Sequence, residues 1–207
     1  MKRDLDGVLN AVKSVKLSEE VITEKCRKVL TYKYVLGLKN KPHVQLSGLE
    51  KRLNRPETKE LILRLQKAAI TVPANAGGIL PLDSELKGTV VLNIGKTSGA
   101  GLAFYNRLQK TLPLTRVVAR PDSMEAVRRQ LSGSQRVIVV ITSDDYKKYR
   151  TMLDSLPDDL PVVYVYLMPL KSMSDLKGYW KKAAAVVLGH TDESVIQEYV
   201  ADVLVGK

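Results

Sequence analysis

The sequence predicts an α/β protein in which a doubly wound, mostly parallel sheet follows a helical N-terminal segment. Two patterns predict this fold class. After Thr89, short runs of β-branched and aliphatic residues alternate with amphipathic stretches of about ten residues, as in parallel βαβ units. Before Ala69, apolar residues instead recur at helical spacing. The chain has 207 residues and 44% hydrophobic content, which is enough to bury one sizeable core.

The helical segment contains two recognisable helix starts. Ser18 can cap a helix whose first turn carries Glu19 and Glu20, and Gly37 is suited to end it. A further helix is predicted to begin near Pro56, a residue that the first turn of a helix tolerates. Both helices are expected to bury an apolar stripe. The stripes consist of Ile22, Cys26, Val29, Leu30 and Leu36 in the first helix and Leu61, Ile62 and Leu65 in the second.

The second region predicts an open sheet with helices on both faces, a flavodoxin-like three-layer sandwich. Residues 1–68 are therefore interpreted as a helical segment and residues 69–207 as the α/β sandwich, with a turn or linker at residues 75–78. The predicted strands are residues 90–94, 115–119, 137–141, 162–167 and 184–188. The predicted helices are residues 102–112, 123–131, 145–156 and 193–205.

The composition argues against several kinds of site. The single cysteine, Cys26, excludes an internal disulfide, and its place in an apolar stripe predicts a small buried hydrophobe rather than a catalytic thiol. His43 and His190 are too isolated to predict a metal site. The longest apolar runs are far too short to span a bilayer.

The basic surplus lies mostly in the N-terminal third. Residues 1–67 contain 16 of the 33 Lys and Arg residues but only 8 of the 22 acidic ones. No aromatic residues interleave with these basic residues to form a stacking platform, so no nucleic-acid partner is predicted. A solvated helical face, or a face that packs on another domain, is the preferred interpretation. A non-catalytic interaction module that uses this basic third stays open as an alternative.

Three segments, taken together and in order, resemble family-three glycoside hydrolases. The first reads LSEEVI at residues 17–22, RKVL at 27–30 and KYVLGL at 33–38. The second reads AAITVPAN at 68–75 and LPL at 80–82, and the third is Gln197 followed by ADVLVGK at 201–207. Each segment is weak alone, but their order and spacing extend over nearly the whole chain. The sequence around the first segment is most similar to the bacterial β-N-acetylglucosaminidase branch.

The resemblance implies the C-terminal domain of a retaining β-glycosidase that acts on a β-N-acetylhexosaminide or a β-glucoside. In such chemistry one carboxylate attacks the sugar, and a second group donates and then removes a proton. Family members carry the nucleophilic aspartate in an N-terminal barrel, a domain of roughly 200 residues or more. Residues 1–68 would be the tail of that barrel and the linker, so no catalytic residue is expected in this chain and the chain alone is expected to be inactive.

The same resemblance implies two partners, the barrel domain and a carbohydrate substrate, with no cofactor. It also implies a bacterial protein that is periplasmic or secreted in its full-length form. Within the intact enzyme, the domain would brace the barrel and contribute a loop to the rim of the active site.

The glycine-rich loop at residues 95–101 supports a competing hypothesis. Its spacing, GKTSGAG directly after a strand and before a helix, is similar to the phosphate loop of short-chain dehydrogenases and would predict a dinucleotide site for NADP. Arg120, after the next strand, could then contact a 2′-phosphate. The matching Tyr-x-x-x-Lys pair is absent, because Tyr146 is followed four residues later by Arg150 and Tyr179 by Ala183. An ordinary strand-to-helix turn is therefore preferred.

Two loops at the carboxyl ends of predicted strands are the candidate substrate rim, because open α/β sheets bind ligands at this edge. The candidates are Lys96, Thr97 and Ser98 in the first loop and Ser143, Asp144 and Asp145 in the second. A simpler interpretation of the second loop is a serine helix cap followed by acidic residues in the first turn. By the same reasoning, Thr191 is predicted to cap the last helix.

Overall fold

The computed structural model describes residues 2–40, 43–120, 124–169 and 183–207. The chain forms two compact units, Met1–Arg55 and Pro56–Lys207. The division predicted from sequence, between residues 68 and 69, falls inside the second unit and stays a prediction. Ser123, predicted as the start of a helix, lies outside the described residues.

The first unit is helical. It contains α1 (Lys2–Lys13), α2 (Glu19–Val35), a 3-10 turn at Leu38–Asn40, and α3 (Leu49–Leu53). The predicted cap of α2 is confirmed, because the Ser18 hydroxyl accepts a hydrogen bond from the Val21 amide at 3.4 Å. Gly37 follows the last turn with φ of +68°, a left-handed conformation that glycine adopts without a steric penalty.

The burial predicted for the apolar stripe of α2 is wrong. Cys26, predicted as a core residue, is exposed. Val29, Leu30 and Leu36 are 53–69% exposed, and only Ile22 is partly covered. Helical periodicity marks an apolar face but not a partner for it, and no described residue of the first unit is buried.

The second unit contains one helix before the sheet, and then the predicted alternation of strands and helices. Its helices are α4 (Pro56–Ala69), α5 (Leu102–Leu108), α6 (Met124–Leu131), α7 (Arg150–Asp154) and α8 (Ser194–Leu204). Its strands are β1 (Thr71–Asn75), β2 (Thr89–Ile94), β3 (Leu114–Val118), β4 (Arg136–Ile141), β5 (Val162–Tyr166) and β6 (Ala185–Leu188).

Helix α4 begins at Pro56, as predicted, but the stripe predicted for it does not face the core. Leu61, Ile62 and Leu65 are 49–61% exposed. The helix instead uses its other face, where Leu63 packs against the core of the second unit. Because the three exposed leucine and isoleucine side chains share a face at helical spacing, the periodicity alone could not distinguish the covered face from the uncovered one.

The six strands form one sheet in the order β1-β6-β5-β4-β2-β3. All neighbouring pairs are parallel except β1 and β6, which are antiparallel. Strands β2 to β6 confirm the five predicted strands, and their order is that of a flavodoxin-like doubly wound sheet. Strand β1 was not predicted, because its sequence, TVPAN, is mostly exposed and contains a proline, which sheets tolerate at an edge.

Two apolar layers, one on each face of the sheet, account for the stability of this unit. In β4, Val137, Val139 and Ile141 enter one layer, whereas Ile138 and Val140 enter the other. Helices α6 and α7 cover the first layer, and α5 and α8 cover the second. Each such side chain contributes about 1.5–3 kcal/mol when fully buried, so the central strands dominate the core.

The helix predicted at residues 145–156 forms in two parts. A 3-10 segment, Asp144–Tyr149, precedes α7. Tyr146 and Tyr149 are both buried, and their spacing of three residues matches the period of a 3-10 helix, which places both rings in the first apolar layer. The packing of these tyrosines therefore accounts for the tighter turn.

Candidate functional site

The candidate site lies where the order of the strands reverses, between β2 and β4. Ile94 pairs with Ile141 at the carboxyl ends of these two strands, so the loops that follow them start side by side. The Thr142 amide donates to the Ile94 carbonyl at 3.0 Å and carries this pairing one residue further. Such a reversal point is the place where open α/β sheets bind ligands.

A cleft of about 780 Å³ occupies this edge of the sheet. Five of the six residues predicted from sequence line it, namely Lys96, Thr97, Ser143, Asp144 and Asp145. The sixth, Ser98, faces a smaller neighbouring pocket that Arg120 also lines. Three further lining residues, Met168, Asp192 and Gln197, were not predicted as site residues.

The first loop of the cleft is held by two side chains that bind its carbonyls. Asn93 Nδ2 donates to the Ala100 carbonyl at 2.7 Å. Arg116, on β3, donates from Nη2 to the carbonyls of Ser98 and Ala100, at 2.6 and 3.1 Å. Residues 96–99, at the tip of this loop, are exposed to solvent. The three hydrogen bonds fix the backbone path of the loop and so position Lys96 and Thr97 in the cleft.

Close packing explains two of the glycines in this loop. A Cβ at Gly95 would collide with the Thr142 hydroxyl and with the Ala100 side chain. Gly101 has φ of +67°, and a Cβ there would collide with the Asn93 amide. Both glycines are thus required by the turn itself, in agreement with the preferred interpretation of the sequence.

Gln197 connects the cleft to the start of α5. Its side-chain oxygen accepts a hydrogen bond from the Phe104 amide at 3.2 Å, and its Nε2 donates to the Asp192 carbonyl at 2.7 Å. The residue is only 7% exposed. An amide in the first turn of α5 is therefore satisfied by the protein, and this seven-residue helix does not favour the dinucleotide hypothesis.

The second loop of the cleft is a capped turn, as the simpler interpretation predicted. The Ser143 hydroxyl accepts from the Asp145 amide at 3.4 Å and lies 3.3 Å from the Asp145 carboxylate, to which it donates. Lys148 Nζ lies 2.7 Å from the same carboxylate. The bond from Lys148 is the main reason why the pKa of Asp145 lies below its ordinary value, and Ser143 and Lys96 add to this effect.

The lowered pKa decides what Asp145 can do. Its carboxyl group is ionised at neutral pH, so it can accept hydrogen bonds from hydroxyl or amide groups of a ligand. A general acid for glycoside cleavage needs the opposite shift, towards a raised pKa. Asp145 is therefore suited to bind a ligand and is not suited to protonate a leaving group.

Thr191 does not cap α8, and that prediction is wrong. The helix begins at Ser194, and the residue at its N-cap position, Glu193, makes no side-chain cap. Thr191 instead accepts a hydrogen bond from the Glu193 amide at 3.3 Å, within the turn before the helix. Gln197 Nε2 donates to the Asp192 carbonyl within the same turn.

Among the described residues, no group of three or more His, Cys, Asp or Glu residues lies close enough together to hold a metal ion. None of the helices there has the length and apolar character that crossing a membrane would require.

Comparisons with known proteins give one related sequence and several related structures. No family model matches the chain. β-Glucosidase B of Emericella nidulans is 32% identical over 117 residues, which cover 54% of this chain and 14% of that protein. The chain thus spans about one seventh of the length of this relative.

The related structures share the fold over almost the whole chain. A family-three β-N-acetylglucosaminidase from Paenibacillus sp. superposes with a TM-score of 0.58 and 17% identity, over 99% of this chain and 41% of the other. A β-glucosidase from Listeria innocua, in complex with gluconolactone, superposes with a TM-score of 0.56 and 17% identity, over 96% of this chain and 32% of the other. In fold, the chain is similar to a part of these two structures that makes up about a third to two fifths of their length.

Proposed function

We propose that this chain serves as the C-terminal domain of a retaining β-glycosidase and that its cleft forms part of the sugar-binding rim. The observation that carries the proposal is the meeting of the two polar loops, at Lys96 and Thr97 and at residues 143–145, in one cleft at the reversal point of the sheet. The related proteins are a β-glucosidase and a β-N-acetylglucosaminidase, which favours a β-glucoside or a β-N-acetylhexosaminide as substrate.

The chemistry of the cleft suits a sugar. Sugar hydroxyls both donate and accept hydrogen bonds, and the cleft offers partners of both kinds. Lys96 supplies donors only, the ionised Asp145 accepts, and the hydroxyl of Thr97 can do either. These partners can orient a ring by hydrogen bonding at several positions, which is the role of a binding rim.

We propose that the catalytic carboxyl groups lie outside this cleft. Retaining glycosidases use two carboxyl groups about 5–5.5 Å apart, one as the nucleophile and one as the acid. Of the carboxyl groups that line the cleft, Asp145 is shifted away from the pKa that an acid needs. We therefore propose that the nucleophile belongs to a barrel domain of a longer protein, and that this chain alone does not hydrolyse glycosides.

The exposed apolar surface supports a domain partner. Val29 and Leu30 on α2 are more than half exposed, and so are Leu61 and Leu65 on α4. Leaving such side chains in water forgoes about 1.5–3 kcal/mol for each one that a partner could cover completely. A barrel domain that packs on these helices would recover part of this free energy.

The turnover test uses the purified chain with 4-nitrophenyl β-N-acetylglucosaminide and 4-nitrophenyl β-glucoside. We expect no release of nitrophenol above the buffer blank, because under this proposal the nucleophile belongs to another domain. The matched control is the same preparation with Asp145→Asn, which should give the same blank rate. Turnover that saturates with substrate and is lost in the variant would contradict the proposal that the catalytic groups lie in another domain.

The binding test is independent of turnover. Titration of ¹⁵N-labelled chain with N-acetylglucosamine and with glucose should shift the amide signals of residues 96–97 and 143–145, with binding in the millimolar range expected for a partial site. Gln135, near the opposite edge of the sheet, serves as the internal reference. Absence of saturable shifts at the cleft, or equal shifts at Gln135, would overturn the rim role.

A further inference from the structure

Asp192 lines the cleft with a carboxylate that the described part of the chain does not bind. Three aspartates line the cleft, namely Asp144, Asp145 and Asp192. The Asp145 carboxylate is already bound by Lys148 and Ser143, at 2.7 and 3.3 Å. The Asp192 side chain is exposed, and its carboxylate has no hydrogen-bond or ion-pair partner among the described residues. It is therefore available to a ligand without the loss of a contact within the protein.

The backbone that carries this carboxylate is fixed from the interior by Gln197. The Asp192 carbonyl accepts a hydrogen bond from Gln197 Nε2 at 2.7 Å. The oxygen of the same buried side chain accepts from the Phe104 amide, on α5, at 3.2 Å. The Gln197 amide also donates to the Glu193 carbonyl at 2.9 Å. Residues 192 and 193 are thus tied to the starts of both α5 and α8.

Helix α4 holds the same turn from the outside. Gln66 Nε2 donates to the Glu193 carboxylate at 2.9 Å. The next residue, Lys67, has its Nζ 3.5 Å from the centre of the Tyr199 ring on α8, which is a cation–π contact. Leu63 packs against the second apolar layer and fixes α4 on this unit. Helix α4 therefore contacts α8 both at its N-cap residue and further along the helix.

We propose that Asp192 binds hydroxyl groups of a sugar in the cleft and that α4 positions it through the Gln66–Glu193 hydrogen bond. This proposal rests on the proposed function, because it assigns a further binding residue to the same cleft. A carboxylate accepts hydrogen bonds through both oxygens, so it can bind two neighbouring hydroxyls of one ring. Gln66 is a positioning residue, since it acts through Glu193 and does not itself line the cleft.

The test of Asp192 is a titration of the ¹⁵N-labelled chain with N-acetylglucosamine, followed at the amides of residues 96–97 and 143–145. Asp192→Asn keeps the size of the side chain and removes its charge. It should weaken binding about threefold to tenfold, because a hydrogen bond to a charged group is stronger than one to a neutral group. Glu198→Gln is the matched control, since Glu198 is exposed on α8 but does not line the cleft, and it should leave the affinity unchanged.

The test of Gln66 uses a reversed pair. Gln66→Glu places a second carboxylate against Glu193, so it should break the contact and weaken sugar binding about twofold to fivefold. Adding Glu193→Gln to this variant restores a donor and an acceptor in the opposite order, and the affinity should return to that of the original chain. Without sugar, Gln66→Glu should shift the amide signals of Asp192 and Gln197, and the double variant should move them back. General damage to the fold would not be repaired in this way.

The outcomes separate this proposal from the proposed function. If the unaltered chain binds the sugar and Asp192→Asn does not weaken binding, or weakens it no more than Glu198→Gln does, the role of Asp192 is overturned and the proposed function stands. If the unaltered chain shows no saturable shifts, the proposed function is overturned and the role of Asp192 with it. The role of Gln66 is overturned if Gln66→Glu leaves the Asp192 amide signal unmoved, or if the double variant binds as weakly as Gln66→Glu.

Discussion

Five polar side chains are buried in the described part of the chain, and three of them build the cleft. Asn93 holds the first loop, Ser143 caps the second, and Gln197 joins the cleft to α5. The other two, Thr89 and Arg136, bind each other at 2.9 Å at the opposite edge of the sheet. Because an unpaired buried polar group costs free energy, each of these residues constrains its surroundings more than an exposed polar residue does.

Gln197→Met should destabilise the chain by about 1–3 kcal/mol, because it leaves the buried Phe104 amide and the Asp192 carbonyl without their partner at nearly constant side-chain volume. Urea unfolding followed by circular dichroism measures the change. Gln109→Met is the matched control, since Gln109 is exposed at the end of α5 and should change stability by no more than about 0.5 kcal/mol. Equal urea midpoints of unfolding for the two variants would show that the two hydrogen bonds of Gln197 make no net contribution to the free energy of unfolding.

The residues of the site divide according to how far their partners lie along the chain. Lys96 and Asp145 could be predicted, because each follows a recognisable strand within a few residues. Gln197 could not be predicted as part of the site, because its partner Phe104 is 93 residues away. Arg116 likewise binds carbonyls 16 and 18 residues before it, and no local pattern marks such a pair.

At the scale of elements, hydrophobic runs predicted the buried strands and missed the exposed one. Every residue of β2, β4 and β5 is buried, which gives these strands continuous apolar sequences. Among the described residues, strand β1 pairs with β6 alone, and it has one partly covered residue, so its sequence carries no such signal. The turn between β2 and α5 was located correctly, but its glycine pattern allowed two interpretations until the packing of each glycine was known.

Gly95→Ala tests the packing of that turn. Its Cβ would collide with Thr142 and Ala100, so the loop has to shift, and we expect a loss of about 1–3 kcal/mol in the free energy of unfolding. Gly99→Ala is the control within the same loop, because the nearest atom to its Cβ would be the Thr97 hydroxyl at 4.0 Å. Thermal unfolding of both variants gives the comparison. A Gly99 variant that loses as much stability as the Gly95 variant would show that flexibility, rather than packing, selects these glycines.

At the scale of the whole molecule, the two units differ in what stabilises them. The second unit has two apolar layers, whereas no described residue of Met1–Arg55 is buried. The sequence predicted helices in both regions correctly, because capping residues and periodicity are local. It could not show that the apolar face of α2 is uncovered, since burial depends on whether a second surface is present.

Amide hydrogen exchange should reveal this difference directly. Amides of α2 are expected to exchange at least about a hundredfold faster than those of β4, because helices in proteins owe most of their stability to tertiary packing and no described residue of α2 is buried. Exchange is measured by mass spectrometry on peptides from residues 19–35 and 136–141, at two protein concentrations. Slow exchange of α2 at both concentrations would show that the first unit is stable by itself. Slow exchange only at the higher concentration would show that a second copy of the chain covers its apolar face, and either result would remove the argument that this face awaits a barrel domain.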